Sequence, residues 1–103
     1  MNGKDSKDLK DIKKQKAVAL KYELGDFAPK VVASGQGFVA ERIIENAETG
    51  DIPIYQDSAL ADELTRLNLG DDIPPELYEI VAQVLIYVSD LDKKESLKRN
   101  APV

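Results

Sequence analysis

The sequence contains no cysteine and no histidine. The first absence removes disulfides, thiolate metal sites and thiol nucleophiles, and the second removes the commonest general base and metal ligand. Much of enzyme chemistry is excluded on those two counts, and neither a cofactor nor a metal is expected. Long apolar runs are missing as well. Nothing approaches the roughly 18–20 uninterrupted residues that a membrane-spanning helix requires, and the N-terminus is charged from Lys4 onward where a signal peptide would be apolar. Direct membrane insertion is therefore not expected, and the cytoplasm is the expected location. Aromatic residues are also sparse, and none is interleaved with the basic residues of either end. Those ends lack the stacking platforms of a nucleic-acid binder.

What is present suits one globular domain: 103 residues, 43% apolar and 32% charged, enough to bury a modest core. The net charge of −5 conceals a partition. Residues 1–16 hold six Lys against three Asp, residues 93–103 carry +3, and residues 17–92 hold four basic and fifteen acidic groups, or −11. An acidic body repels phosphates, so nucleic acid is not an expected partner. The plainer reading of the same charge is a solvated surface that keeps a small domain dispersed.

The partition also divides the chain into a charged N-terminal tail or loose helix over 1–16, a folded body over 17–92 and a basic C-terminal tail over 93–103. Within the first segment only Leu9 and Ile12 are internal apolar residues, too little to offset the entropy of ordering. From Ala17 the composition changes. Ala17-Val18-Ala19-Leu20-Lys21-Tyr22 reads as a strand closed by Gly25 and Asp26, and Lys30-Val31-Val32-Ala33, entered through Pro29, reads as a second ended by Ser34-Gly35-Gln36-Gly37.

Phe38, Val39, Ile43, Ile44 and Ala47 recur at helical spacing, which predicts a helix over about 37–48 with Gly50 at its C-terminal cap. Ile52-Pro53-Ile54-Tyr55 then reads as a third, edge strand, because Pro53 has no N–H to donate. Asp57 or Ser58 can cap a helix bearing Leu60, Leu64 and Leu67 and ended by Gly70. The strongest periodicity comes last: Leu77, Ile80, Val81, Val84, Leu85, Val88 and Leu91, with Pro74 and Pro75 at the first turn. Such a stripe must be covered, and a sheet face is the obvious partner. The expected fold is α/β (α+β), a small three- to four-stranded mixed sheet packed by about three to four helices, with the second and third strands parallel across a right-handed βαβ crossover.

Several blocks recur together: Ala17-Val18-Ala19-Leu20-Lys21-Tyr22, Ala28-Pro29-Lys30-Val31-Val32-Ala33, Gly35 and Gly37, Ile52-Pro53-Ile54-Tyr55, Gly70-Asp71, and Ile73-Pro74 with Glu76-Leu77-Tyr78. Each is weak alone, but in this order and spacing they resemble the FlhB/YscU (EscU/SpaS) export-switch family over about residues 17–90. The resemblance implies a cytoplasmic domain of the type III export apparatus of flagella and injectisomes, which helps switch export from one substrate class to another. In that family the domain follows a transmembrane region. The present sequence looks like a free-standing copy of the C-terminal cytoplasmic portion.

One departure is chemical. Members usually carry Asn-Pro-Thr-His before the Tyr that precedes the first matched strand, and the motif cleaves itself when the Asn side chain attacks its own carbonyl next to Pro. Here the aligned positions are Ile12, Lys13, Lys14 and Gln15, with Lys16 for the Tyr, and the sequence contains no Asn-Pro dipeptide. The expectation is recognition without autocleavage. The family's strand before the motif also lacks a counterpart, since Asp5–Asp11 is mostly charged, so one strand fewer or a rebuilt edge is expected.

The family's substrate-facing surface includes apolar residues of the Ala-Pro-Lys block and the last helix. By resemblance Ala28, Pro29, Ala82 and Leu85 are the partner-binding candidates, with export substrates or export-gate proteins as partners and the membrane-embedded gate within reach. The bland reading of Ala28 and Pro29 is a turn entering the second strand, and that of Ala82 and Leu85 is core packing. Gly35-Gln36-Gly37 lacks the remainder of a phosphate loop and reads as a turn. Asp57, Asp71 and Asp72 have no recognised metal-ligand spacing, and Asp72 is well placed to cap the last helix. The alternative to an export module is a small acidic-residue enzyme or small-molecule binding domain. Intact-mass measurement of the purified chain should give one full-length species; fragments divided within residues 12–16 would overturn the expectation of no autocleavage.

Overall fold

A computed structural model describes residues 9–100. Helix α1 (Leu9–Lys14) leads into strand β1 (Lys16–Lys21), a loop, and strand β2 (Lys30–Gln36). Helices α2 (Phe38–Thr49) and α3 (Ser58–Thr65) follow, and a 3₁₀ turn over Pro75–Leu77 opens into helix α4 (Tyr78–Asn100). No described helix is long and apolar enough to cross a membrane.

The strands pair antiparallel, with Ala17 opposite Gly35 and Ala19 opposite Ala33, and then the register slips so that Leu20 faces Val31. Val32 is the extra residue of a β-bulge. Side chains alternate across a strand, so the slip aligns Val31 with Val18 and Leu20 on one face. Val31 is fully buried, whereas Val32 is half exposed. The other face carries the small residues Ala17, Ala19, Ala33 and Gly35, and α2 packs across both strands. Contact is close: a Cβ added at Gly35 would lie 2.8 Å from Val39 Cβ. Ala40 of α2 is completely buried.

The Val18–Leu20 face meets the main core, in which Ala28, Leu64, Ile73 and Val81 are buried and Leu60, Leu67, Leu77 and Leu85 pack around them. The leucine stripe of α3 and the apolar stripe of α4 thus reach the sheet. Asp57 caps α3 by accepting the Leu60 N–H at 3.1 Å. That helix ends at Thr65, before the expected stop at Gly70, because the Arg66 and Leu67 N–H groups bond three residues back, to the Glu63 and Leu64 carbonyls. A turn follows, its Asn68 N–H donated to the Asp71 carboxylate.

Among the described residues the sheet has two strands, not three or four, and their pairing is antiparallel. The expected strand Ile52–Tyr55 and the parallel crossover built on it are therefore corrected. The cause lies in how α2 ends. Asp51 adopts a left-handed conformation (φ 57°), its N–H donates to the Glu48 carbonyl, and the Ile52 N–H donates to the Ala47 carbonyl at 2.8 Å. This Schellman closure uses the first amide of the segment, and Pro53 has none to offer a ladder.

The free edge at the start of β2 is met instead by Gly70–Ile73. The Val31 N–H donates to the Asp71 carbonyl (2.9 Å), the Gly70 N–H to the Val31 carbonyl (2.7 Å) and the Ile73 N–H to the Pro29 carbonyl (3.0 Å), while Lys30 and Asp72 form an antiparallel bridge. Two substitutions probe these contacts in opposite directions. Gly35→Ala should lower stability by about 1–3 kcal/mol through overpacking against Val39, and Asp51→Gly should raise it by about 0.5–1 kcal/mol by relieving the left-handed backbone, both read from urea denaturation.

Candidate partner-binding site

The β1–β2 loop, the Gly70–Ile73 edge and the first turns of α4 enclose a cavity of about 220 Å³. Ala28, Pro29 and Ile73 line one side of it. All three are buried, Ala28 and Ile73 at 2% exposure each, so this side is the outward surface of the core. Tyr78, Val81, Ala82 and Leu85 line it from α4. Positions 78, 82 and 85 stand four and three residues apart and so share a helix face. Val81 belongs to the core, Leu85 is half-buried against it, and Ala82 is exposed. Tyr22 and Phe27 complete the lining, with Phe27 87% exposed.

All four residues singled out from the sequence thus border one cavity. They are not one exposed patch: Ala28 and Pro29 are buried, and only Ala82 stands fully open. Five further lining residues escaped sequence reasoning. Val81 read simply as part of an apolar stripe, and Tyr22, Ile73 and Tyr78 lay inside matched blocks without an assigned role. Phe27 had one available signal, an aromatic side chain beside the Ala-Pro pair in a turn with no apolar periodicity to bury it.

The rim is charged. The Lys30 ammonium contacts Asp72 at 2.6 Å and that of Lys21 contacts Glu23 at 2.7 Å. Each lysine is held above its ordinary pKa, first by the hydrogen bond to that carboxylate and then by its charge. Asp72 is therefore an ion-pair partner and not the cap of the last helix: Pro74 occupies the cap position and no side chain bonds there. Asp57 and Asp71 each accept a backbone N–H of their own turn, so the three aspartates serve three separate structures. Gly37, at φ 69°, makes the turn between β2 and α2 that the glycine pair predicts.

The positions aligned with the self-cleaving motif lie elsewhere. Ile12, Lys13 and Lys14 end α1, and the Gln15 N–H closes a turn onto the Ile12 carbonyl at 3.1 Å. The Gly37 N–H donates to the Gln15 carbonyl (2.8 Å) and Gln36 Nε2 to the Lys13 carbonyl (3.2 Å), which fastens this junction to the β2–α2 turn. Lys13 and Lys14 are exposed.

Comparison with known proteins gives a consistent result. Residues 14–88 match the FlhB HrpN YscU SpaS family. The Uncharacterized protein YlqH of Bacillus subtilis (strain 168) is 41% identical over 86 residues, 82% of this chain and 92% of YlqH. The Flagellar biosynthetic protein FlhB of Aquifex aeolicus (strain VF5) is 41% identical over 80 residues, 76% of this chain but only 23% of that protein. Among solved structures, a mutated EscU/SpaS C-terminal domain superposes with a TM-score of 0.71 at 37% identity, covering 75% of this chain and 95% of that one. The PscU C-terminal domain gives 0.66 at 31% identity, with 70% and 94% covered.

The Lys30–Asp72 pair fastens the segment that carries Ile73 to the segment that carries Pro29. A lysine whose folded pKa is raised contributes stability that is present below the unfolded value of 10.5 and is lost as pH rises through the folded value. The pair is exposed, so its effect is small. Lys30→Gln should melt slightly below the parent at neutral pH, and the two melting temperatures should converge as pH rises past 10.5 and through the raised folded value; a gap that persists once the lysine is neutral would mean that it acts other than through its charge.

Proposed function

Because this chain belongs to the FlhB HrpN YscU SpaS family, we propose that it is a non-enzymatic protein-interaction module of the flagellar or related type III export apparatus. It works in the cytoplasm, holds export substrates or export-gate proteins in the cavity between the β1–β2 loop and α4, and stands in for the C-terminal fragment of FlhB at the membrane-embedded gate. The observation that carries this reading is the convergence of Ala28, Pro29, Ala82 and Leu85 on one apolar cavity. The stand-in role is supported by the lengths matched, since most of this chain corresponds to a small part of FlhB.

The binding unit is residues 17–92. Residues 1–16 are taken as its charged N-terminal tail or loose helix and 93–103 as its basic C-terminal tail; of these, 1–8 and 101–103 lie outside the described residues. No autocleavage occurs, because the cyclisation requires an Asn side chain beside the scissile bond and Ile12–Gln15 offers none. What the clamped turn at Gln15 supplies is attachment: the strand that opens the binding unit stays joined to the residues before it.

Expression of the chain in cells whose export gate lacks its cytoplasmic C-terminal fragment should restore secretion of export substrates. Ala82→Glu, which sets a charge into the cavity wall at an exposed position, should reduce that restoration to about a tenth or less while leaving the melting temperature nearly unchanged. Failure to restore export, together with no co-purification of any export component, would overturn the proposal.

A further inference from the structure

The cavity and its rim differ in chemistry, and the difference describes an occupant. At about 220 Å³ the cavity is smaller than the roughly 300–1,000 Å³ typical of small-molecule and cofactor sites. Its lining is aliphatic and aromatic. Such a space suits the anchor side chain of a protein segment, with the rest of that segment lying across the rim.

The rim is acidic in sum, and the surplus lies on the α4 side: residues 21–30 hold two lysines and two carboxylates, residues 71–85 four carboxylates and no base. The two stretches that build it, residues 21–30 and 71–85, contain six carboxylates and two lysines. Both lysines are neutralised from within, Lys21 by Glu23 and Lys30 by Asp72. Asp26 accepts the Glu23 N–H and its charge acts on both lysines, whereas Asp71 accepts the Asn68 N–H and has no ion-pair partner among the described residues. Glu76 and Glu79 bracket Tyr78 and are exposed, again without an ion-pair partner among the described residues. Glu79 lies one turn from Ala82, on the edge of the cavity-facing stripe. A segment laid from the β1–β2 loop to α4 meets the uncompensated negative charge at the α4 end of its path.

Taking the partner-binding reading of this cavity as its premise, we infer that the occupant is a protein segment whose apolar anchor is flanked by Lys or Arg. Charge of that sign is steered to the rim, and an acidic flank is repelled there. The rim carboxylates stay in water, so their contribution lies in selection and association rate, and salt screens it. The apolar anchor supplies the salt-insensitive part.

Fluorescence anisotropy with the full chain tests this using three labelled synthetic peptides. All share a Leu-Ile-Phe centre, flanked on both sides by three Lys, three Ser or three Glu. At about 50 mM salt the Lys peptide should bind at least about tenfold more tightly than the Glu peptide, and at about 500 mM the gap should shrink to within about threefold. The double substitution Glu76→Gln and Glu79→Gln should narrow the gap several-fold while leaving the Ser peptide's affinity unchanged. Ala82→Trp, an enlargement at an exposed position, should weaken all three. If the three bind alike and Ala82→Trp weakens each, the charge inference falls and the partner-binding reading stands. If binding is indifferent to Ala82→Trp, the cavity is not the site and both fall; if none binds, the inference falls and the reading rests on the complementation result alone.

Discussion

The pairing of Pro29–Val31 with Gly70–Ile73 is the contact on which the rest of the molecule depends. Val31 is fully buried, so its N–H and carbonyl have no access to water and must find partners in the chain; the Asp71 carbonyl and the Gly70 N–H provide them. Leaving either group orphaned would cost about 1–3 kcal/mol, a sizeable part of what holds a small domain folded. Pro29 contributes only a carbonyl, and the Ile73 N–H takes it. The same three hydrogen bonds bring Ile73 into the core and set the start of α4 beside the β1–β2 loop. A two-stranded sheet alone is marginal in water; here helices cover it, α2 on the small-residue face and α3 and α4 around the Val18–Leu20 face.

The cavity is a by-product of that junction, which is why its lining overlaps with the residues that fold the domain. Ala28, Ile73 and Val81 belong to the core through part of their surface and to the cavity through the rest. Enlarging or truncating any of them changes packing first, as dense cores permit little volume change. Ala82 differs because it lies off the core stripe and is exposed. Its small size keeps the wall of α4 open between Tyr78 and Leu85. On the proposed reading, specificity at the rim is separable again, since Glu76 and Glu79 are exposed and do not line the cavity.

Much of this was legible in the sequence, and the exceptions have definite causes. β-prone runs bounded by turn residues located β1 and β2, and helical spacing located α2 and α4, because each helix buries one face and the period records it. The bulge at Val32 was not legible: Val31 and Val32 are chemically alike, and only the slip in register decides which faces inward. Ile52–Tyr55 carries the composition of a strand, yet the Schellman closure at Asp51 and the missing N–H of Pro53 keep it out of the ladder. The edge was closed instead by Gly70–Ile73, a turn-like stretch with no strand pattern, through backbone groups that composition does not reveal. Asp72 looked like a cap by proximity to α4, but Lys30 reached it across the bridge. The site was legible only through resemblance: Ala82 follows from no periodicity, since a residue just off an apolar stripe looks like any other surface alanine.

The cavity and the positions aligned with the self-cleaving motif are separate in the structure, which is what the proposed recognition without cleavage requires. Every lining residue comes from the β1–β2 loop and its approaches, the Gly70–Ile73 edge or α4; none comes from Ile12–Lys16. The turn at Gln15 is anchored to the β2–α2 turn, on the side of β2 where Gly35 and α2 pack. Exchanging the motif for Ile12-Lys13-Lys14-Gln15 therefore alters neither the walls of the cavity nor the hydrogen bonds that place them. Continuity of the backbone at this point has a mechanical meaning all the same. In a cleaved chain β1 would begin at a free end, whereas an uncleaved one keeps it tied to α1, and the turn before it is fastened through Gln36 and Gly37 to the β2–α2 turn. On the proposed reading, in which the chain is not cleaved, any switching by this domain would come from what occupies the cavity.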